Sequence, residues 1–412
     1  MKIPKSYLAV LYVSTARKEV LRQLCQLELQ STHVHSFIDA AYNRTSFYLL
    51  DDDAAKLSAS SVELYEKARS LVDFRQHTGT HPALGFCDNV SISPLFEGKG
   101  EGEGEKESDV EFGLQTAGQI ARSFQNCILQ GHLNREADTA DSDLASSNTG
   151  TVTGRPVCFS YGHAIIESEI GRSSHQSLRN IRKALGYFDD YDYNCGSKSE
   201  SGGSGGSEGQ QEFLDKVRDN INRACGPSAD TDGGFRLTPT APIGGEEAVW
   251  DMDPSIGVTC CGAQPFMLNF NVRFHAHNSP TDEGEKTDEG EKEHVRSIRM
   301  VTAALRMEYG EAGRLPQAGV QALTLPYTSV ESIKSPGTGT NTGTGTDTSK
   351  GRRWEIACNL KNPAVGSAER VLALVQRKAM ERGLRIECDY ITGPTMEQLL
   401  QLWEQGKRWR LE

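Results

Sequence analysis

The most regular pattern in this sequence lies at residues 264–274, QPFMLNFNVRF. Apolar side chains alternate there with Met, Asn and Arg side chains, which is typical of a strand with one face in a core. The pattern begins a second-half series of strand, helix, strand, strand, helix and strand, predicted at residues 264–274, 295–308, 319–325, 354–360, 365–382 and 384–391. Gly383 has the position of a C-capping glycine, and Thr395 and Gln398 predict a capping box for one more helix.

The first half of the chain repeats this order. Its strands and helices are predicted at residues 7–13, 15–30, 33–40, 45–50, 53–74 and 88–95, followed by a helix, a strand and a helix at 110–130, 156–161 and 175–188. Two βαββαβ series predict an α+β fold with two ferredoxin-like subdomains and a cleft or tunnel between them. We place the N-terminal subdomain at residues 1–225, a linker at 226–255 and the C-terminal subdomain at 256–412.

Composition excludes several classes of protein. The chain has 412 residues and a net charge of −12, and the whole acidic excess lies in residues 97–109, 132–154 and 278–294. The remaining core is close to neutral, which argues against a nucleic-acid partner. No window approaches eighteen apolar residues, so no membrane span is predicted. The ten cysteines lack regular spacing and the start lacks a leader pattern, so we expect reduced thiols and a cytoplasmic protein.

Six low-complexity segments interrupt the predicted elements. They are rich in Gly, Ser, Thr and Glu without apolar spacing, which is typical of loop insertions that do not enter a core. They lie at residues 98–108, 132–154, 195–212, 226–247, 277–294 and 334–352.

The most distinctive candidate for a functional segment is residues 75–88, RQHTGTHPALGFCD, between a predicted helix and a predicted strand. His77 and His81 are candidate metal ligands, with Cys87 or Asp88 as a third. They are equally compatible with hydrogen-bonded turn histidines. The third interpretation is acid–base catalysis, because imidazole has a suitable pKa and loops on a rigid scaffold often carry such groups.

At this segment the chain resembles the formiminotransferase domain family, which includes glutamate formimidoyltransferases and the N-terminal part of formimidoyltransferase-cyclodeaminase. The family motif is H-x-G-x-H-P-x-x-G-x-x-D, and residues 77–88 match every specified position. Weaker matches follow in the family's order at residues 43–45, 70–73, 157–162, 178–182 and 257–272.

The resemblance implies transfer of a formimidoyl or formyl group between N-formimidoyl-L-glutamate and N5 of tetrahydrofolate, a step of histidine catabolism. Tetrahydrofolate would act as a substrate, without a metal. The family's catalytic histidine falls on His81, whose imidazole would accept a proton from N5 and return it to the leaving nitrogen. We therefore expect turnover to rise with pH through about 6.5, the ordinary pKa of histidine.

Further site residues also follow from the resemblance. The implied substrate- and folate-binding residues are Asp39, Asn43, Arg44, His77, Asp88, Arg182 and Gly257. The two Asp residues would orient imidazole or pterin, and the two Arg residues would bind carboxylates. The implied folate-contacting stretches lie near residues 248–257 and 313–324. The implied partners are folate and glutamate-type small molecules, and a homodimer is one expectation for the assembly.

The chain also departs from the family pattern. The family's first strand ends in P-N-F-S-E-G, whereas residues 10–15 read VLYVST. His163 stands where the family has a glutamate after Tyr-Gly. In these respects the chain resembles divergent formiminotransferase-like proteins of plants. The alternative function is a folate-binding protein of the same fold that has lost transferase activity.

Overall fold

In a computed structural model of the chain, the described residues are 4–96, 107–140, 156–165, 177–188, 207–225, 237, 239–240, 252–276, 288–327 and 353–411. Ten β-strands lie in this part of the chain: β1 Ser6–Val13, β2 Thr32–Asp39, β3 Arg44–Asp51, β4 Cys87–Leu95, β5 Val157–Gly162, β6 Val258–Ala263, β7 Leu268–Phe274, β8 Val320–Tyr327, β9 Arg353–Leu360 and β10 Ile386–Ile391. The α-helices there are α1 Lys18–Cys25, α2 Ala54–Leu71, α3 Glu107–Ala140, α4 Leu178–Ala184, α5 Ser207–Cys225, α6 Asp288–Tyr309, α7 Ala368–Met380 and α8 Met396–Glu404.

The strands form two sheets. The first has the order β2-β3-β1-β4-β6-β5, in which β6 runs parallel to both β4 and β5 and the other pairs are antiparallel. The second has the order β10-β7-β9-β8 and is antiparallel throughout. The predicted α+β class is confirmed, and the order βαββαβ occurs in β1 to β4 and again in β7 to β10.

The predicted boundary at residue 256 needs a correction, because β6 lies inside the first sheet. Backbone pairing places Asn89 opposite Cys260 and Phe159 opposite Cys260 on the other side. The change from the first sheet to the second therefore falls between β6 and β7. We call the elements up to β6 the first unit and those from β7 to β10 the second unit.

Four of the predicted insertions contain helical residues. Helix α3 begins at Glu107 and continues to Ala140, α5 begins at Ser207 and α6 begins at Asp288. Helix α5 was missed entirely by the sequence prediction. Its Leu214, Val217 and Ile221 are buried and lie at helical spacing, so this amphipathic pattern was available in the sequence. The remaining parts of the six segments lie largely outside the described residues.

Local capping follows the predictions. The Thr395 hydroxyl accepts the Gln398 N–H and the Gln398 side chain accepts the Thr395 N–H, which is the predicted capping box of α8. Gly383 has a φ of 65° just beyond α7. The Asp53 carboxylate accepts the N–H groups of Ala55 and Lys56 at the start of α2.

The first sheet is covered on both faces. On β1, Ala9 and Leu11 belong to the main core with helices α1 to α3, whereas Leu8 and Val10 point to the opposite face. That second face packs against α8 through Leu399. The chain after β10 therefore returns to the first unit and covers part of its sheet.

The described cysteines are all free thiols. Cys260 and Cys261 are fully buried in the main core. Within the described ranges, no helix has the length and apolar character needed to cross a membrane.

We expect Leu399→Ala to lower the free energy of unfolding by about 2–5 kcal/mol, because it leaves a cavity between α8 and the first sheet. Leu399 is fully buried, whereas Gln401 on the same helix is exposed. Gln401→Ala is therefore the control and should change stability by no more than about 0.5 kcal/mol. Chemical denaturation measures both, and equal stabilities of the two variants would contradict the described packing of α8.

Candidate functional site

A cavity lies where the two units meet. Its volume is about 510 Å³ when the open space at its mouth is counted. Asp39, Arg44 and His81 line it from the first unit, and Asn269 and Asn271 line it from the second. The structure thus brings three of the predicted site residues to one cavity.

His77 and Gly79 hold the loop before β4 against its neighbours. His77 is buried, its Nδ1 lies 3.2 Å from the carbonyl oxygen of Ser14, and its ring stacks on Phe74. Burial lowers the pKa of His77 to about 4. A Cβ at Gly79 would lie 2.0 Å from the carbonyl oxygen of Tyr42, so only glycine fits there. This part of the motif is structural support and does not line the cavity.

His81 faces the cavity with a defined tautomer. Its Nδ1 lies 2.7 Å from the carbonyl oxygen of Pro82, which can only accept, so Nδ1 carries the proton. Nε2 is then free to accept. Arg44 Nη1 lies 3.1 Å from Nε2 and 3.3 Å from Nδ1, so it lies over the ring and not in line with the Nε2 lone pair. Burial, followed by the charge of Arg44, lowers the pKa of His81 well below 6.5. The imidazole is therefore neutral near pH 7 and is competent as a base.

A buried carboxylate lies behind Arg44. Asp88 is fully buried, and its two oxygens lie 3.4 Å from Arg44 Nη2 and 2.9 Å from Arg182 Nη2. The two guanidinium groups also lie over aromatic rings, Arg44 over Tyr12 at 4.4 Å and Arg182 over Tyr187 at 4.5 Å. One carboxylate shared by two arginines leaves one uncompensated positive charge in this cluster. Asp88 and Arg182 lie behind the cavity wall and not on it.

Asn43 and Asp39 shape the hairpin between β2 and β3. Asn43 has a φ of 47°, a left-handed conformation that Asn tolerates, and its Oδ1 accepts the N–H of Ala16 at 2.8 Å. Asp39 accepts the N–H of Tyr42 at 3.0 Å, and burial raises the pKa of its carboxyl. Asp39 contributes to the cavity, whereas Asn43 joins the hairpin to the end of β1.

Gly257 has a backbone role. Its φ is 73°, and a Cβ there would lie 2.3 Å from the carbonyl oxygen of Leu84. It forms an antiparallel bridge with Gly85, so two glycines allow the loop before β6 to approach the loop before β4. Gly257 does not line the cavity. Residues 248–251 of the implied folate stretch lie outside the described residues.

The sequence analysis missed a polar cluster between the units. Glu355 on β9 is fully buried and accepts hydrogen bonds from the hydroxyl groups of Tyr42 and Tyr390 and from Asn271. Arg273 Nε lies 3.6 Å from the same carboxylate. Burial raises the pKa of Glu355. The sequence signal for this cluster was the polar side of the alternating strand, at residues 269, 271 and 273. If these side chains are assumed to face solvent, the cluster is not predicted.

The implied stretch 313–324 is not part of the cavity wall; the second unit contributes Asn269, Asn271, Ala357, Asn359 and Thr392 instead. Within the described ranges, no group of three His, Cys, Asp or Glu side chains is placed to hold a metal ion.

Residues 6–130 match the family model of the formiminotransferase domain, N-terminal subdomain. The match covers 125 of the 412 residues, from β1 into α3, and includes the whole segment from His77 to Asp88. The family resemblance predicted from the sequence is confirmed for this part of the chain. No curated protein matches the chain.

We expect Asp88→Asn to destabilise the protein by about 3–5 kcal/mol, because two buried guanidinium groups lose their shared counter-charge. Glu381→Gln is a matched control, since Glu381 also lies between two cations, Lys378 and Arg382, but is exposed. Denaturation curves should show a large loss for the first variant and stability close to wild type for the second. Small and equal losses of stability in the two variants would show that the ion pairs of Asp88 with Arg44 and Arg182 do not hold the site together.

Proposed function

We propose that this protein is a folate-dependent transferase, which moves a formimidoyl group between N-formimidoyl-L-glutamate and N5 of tetrahydrofolate. The observation that carries the proposal is a neutral imidazole, His81, at a cavity wall inside the segment that matches the formiminotransferase subdomain. In this proposal the two sheets correspond to the N-terminal and C-terminal subdomains. The protein acts in the cytoplasm, and a homodimer is the expected assembly.

His81 would carry the proton through the reaction. As N5 attacks the amidine carbon, the new N5–C bond forms and N5 loses its proton to Nε2 of His81. The imidazolium then gives this proton to the glutamate nitrogen while the old C–N bond breaks. Atoms and charge balance, and His81 ends neutral. The Arg44 guanidinium lies beside both ring nitrogens, and its positive charge must move away from the ring as Nε2 takes the proton.

The charges and amides of the cavity fit these substrates. Arg44 carries positive charge that Asp88 only partly compensates, and a guanidinium group pairs well with the carboxylates of glutamate or of the folate tail. On the opposite wall, Asn269 and Asn359 are cross-strand neighbours that offer carboxamide donors and acceptors. Together with the Asp39 carboxylate, they suit the donor and acceptor groups at the edge of a pterin ring.

The second candidate function is folate binding without transfer. Two observations favour it. Residues 10–15, where the family has P-N-F-S-E-G, are mostly buried and apolar, and the positive charge of Arg44 beside the imidazole opposes its protonation. Tight binding of tetrahydrofolate by a wild-type protein that turns over neither formimidoylglutamate nor 5-formyltetrahydrofolate would establish this candidate.

We expect His81→Asn to reduce turnover roughly 10²–10⁴-fold, since Asn keeps the size and a hydrogen bond but cannot transfer a proton. The affinity for tetrahydrofolate should stay within a few-fold of wild type. His275→Asn is the control, because His275 is exposed and lies outside the cavity wall. Steady-state kinetics and calorimetric titration provide the two readouts, and a His81→Asn enzyme with wild-type turnover would refute the catalytic role.

The position of His81 also predicts the pH dependence. A base acts in its neutral form, so the rate rises with pH through the pKa of the folded protein. Because that pKa lies well below 6.5, the acidic limb of kcat/KM should fall below pH 6.5 and the profile should be flat from there to neutral pH. This limb lies below the pH of about 6.5 that we expected from the ordinary pKa of histidine. A limb centred at 6.5 or higher would contradict the buried environment of His81.

A further inference from the structure

Tyr42 contacts both units as well as the loop of His81. It lies in the hairpin after β2 and is 5% exposed. Its ring meets the ring of His81 edge-on, with 5.0 Å between centroids, and its hydroxyl donates to Glu355 of the second unit. Its carbonyl oxygen lies against Gly79, where even a methyl group would not fit. Its ring also meets the ring of Tyr327 on β8 edge-on, with 5.6 Å between centroids, so Tyr42 touches the loop twice and the second unit twice.

The partner of Tyr42 is firmly held. Glu355 accepts from Asn271 at 2.9 Å and from the Tyr390 hydroxyl at 2.8 Å, and Arg273 lies 3.6 Å away. All of these partners belong to the second unit. A buried carboxylate with several donors has little freedom to move, since each lost bond leaves a buried polar atom unpaired.

We propose that Tyr42 is a positioning residue, which fixes the imidazole of His81 at the cavity only while the second unit is docked on the first. The catalytic consequence of this proposal rests on the proposed function. The contacts of Tyr42 from which it is argued do not. If the second unit moves away, the Tyr42 hydroxyl loses Glu355, and the aromatic contact that limits the His81 ring is released. The imidazole of His81 is then held in place at the cavity only when the two units are docked.

Geometry separates Tyr42 from the other tyrosine on Glu355. The Tyr390 hydroxyl donates to the same carboxylate, but its ring lies beside Phe37 and Arg273. Each Tyr→Phe change removes one hydroxyl from the Glu355 cluster and keeps the ring. The Tyr390 hydroxyl also accepts from Asn271 at 3.3 Å and from Arg273 at 3.1 Å, so Tyr390→Phe removes more hydrogen bonds from this cluster than Tyr42→Phe and is a stringent control. Only Tyr42→Phe removes the hydrogen bond to Glu355 from a ring that contacts His81, and the contact of that ring with Tyr327 remains.

The experiment compares wild type, Tyr42→Phe and Tyr390→Phe in two measurements. The first is kcat and KM for tetrahydrofolate with formimidoylglutamate. We expect Tyr42→Phe to reduce kcat roughly 10- to 100-fold, as for a misplaced catalytic group, with KM within a few-fold. Tyr390→Phe should keep both near wild type. Equal losses of kcat in the two variants, or none in Tyr42→Phe, would overturn the proposal.

The second measurement is an NMR titration of His81, whose signal is assigned with His81→Asn. Arg44, Arg182 and His77 are the charged and titratable groups that act on this ring, and they are the same in all three proteins. We expect the pKa of His81 to move toward its ordinary value in Tyr42→Phe alone. This readout needs no turnover, so an inert wild type with that selective shift would reject the transferase and retain the positioning role. An unshifted His81 would reject the positioning role.

Discussion

The arrangement of the site depends on the buried carboxylate of Asp88. A fully buried carboxylate is tolerated only beside compensating charge, and here Arg44 and Arg182 supply it from β3 and α4. Arg44, fixed in this way, reaches the ring of His81 and holds its pKa low together with burial. Together with burial, the hydrogen bond to Pro82 and the contact with Tyr42, the ion pairs behind the cavity wall therefore contribute to the place and the protonation state of the proposed base.

The second constraint is that the two units meet through polar side chains. Asn269 approaches the hydroxyl of Tyr12 at 3.4 Å, and Tyr42 donates to the buried Glu355. Such an interface leaves a cavity lined by polar groups, whereas an interface of apolar side chains would pack closely and leave no cavity. The two units also contribute different groups to the cavity wall. The first unit supplies charged side chains and the histidine, and the second supplies carboxamides. Neither unit alone completes the wall.

Local pattern predicted most of the fold. The alternation in β7 and the capping box of α8 specify their elements through neighbours in sequence. The motif at residues 77–88 identified the loop of His81. Local patterns do not predict which strands pair when they lie far apart in the sequence. Strand β6 joins the first sheet by parallel pairing with β4 and β5, although its sequence position suggested the second unit. Glu355 was missed for the same reason, since nothing near it in sequence indicates a partner from the β2–β3 hairpin.

A crystal structure of the protein grown with tetrahydrofolate tests the central claim most directly. The account predicts the pterin ring between His81 and the asparagines of the second sheet, with N5 within hydrogen-bonding reach of Nε2 and the folate tail toward Arg44. Tetrahydrofolate bound away from this cavity, with His81 still covered by Arg44, would contradict the account.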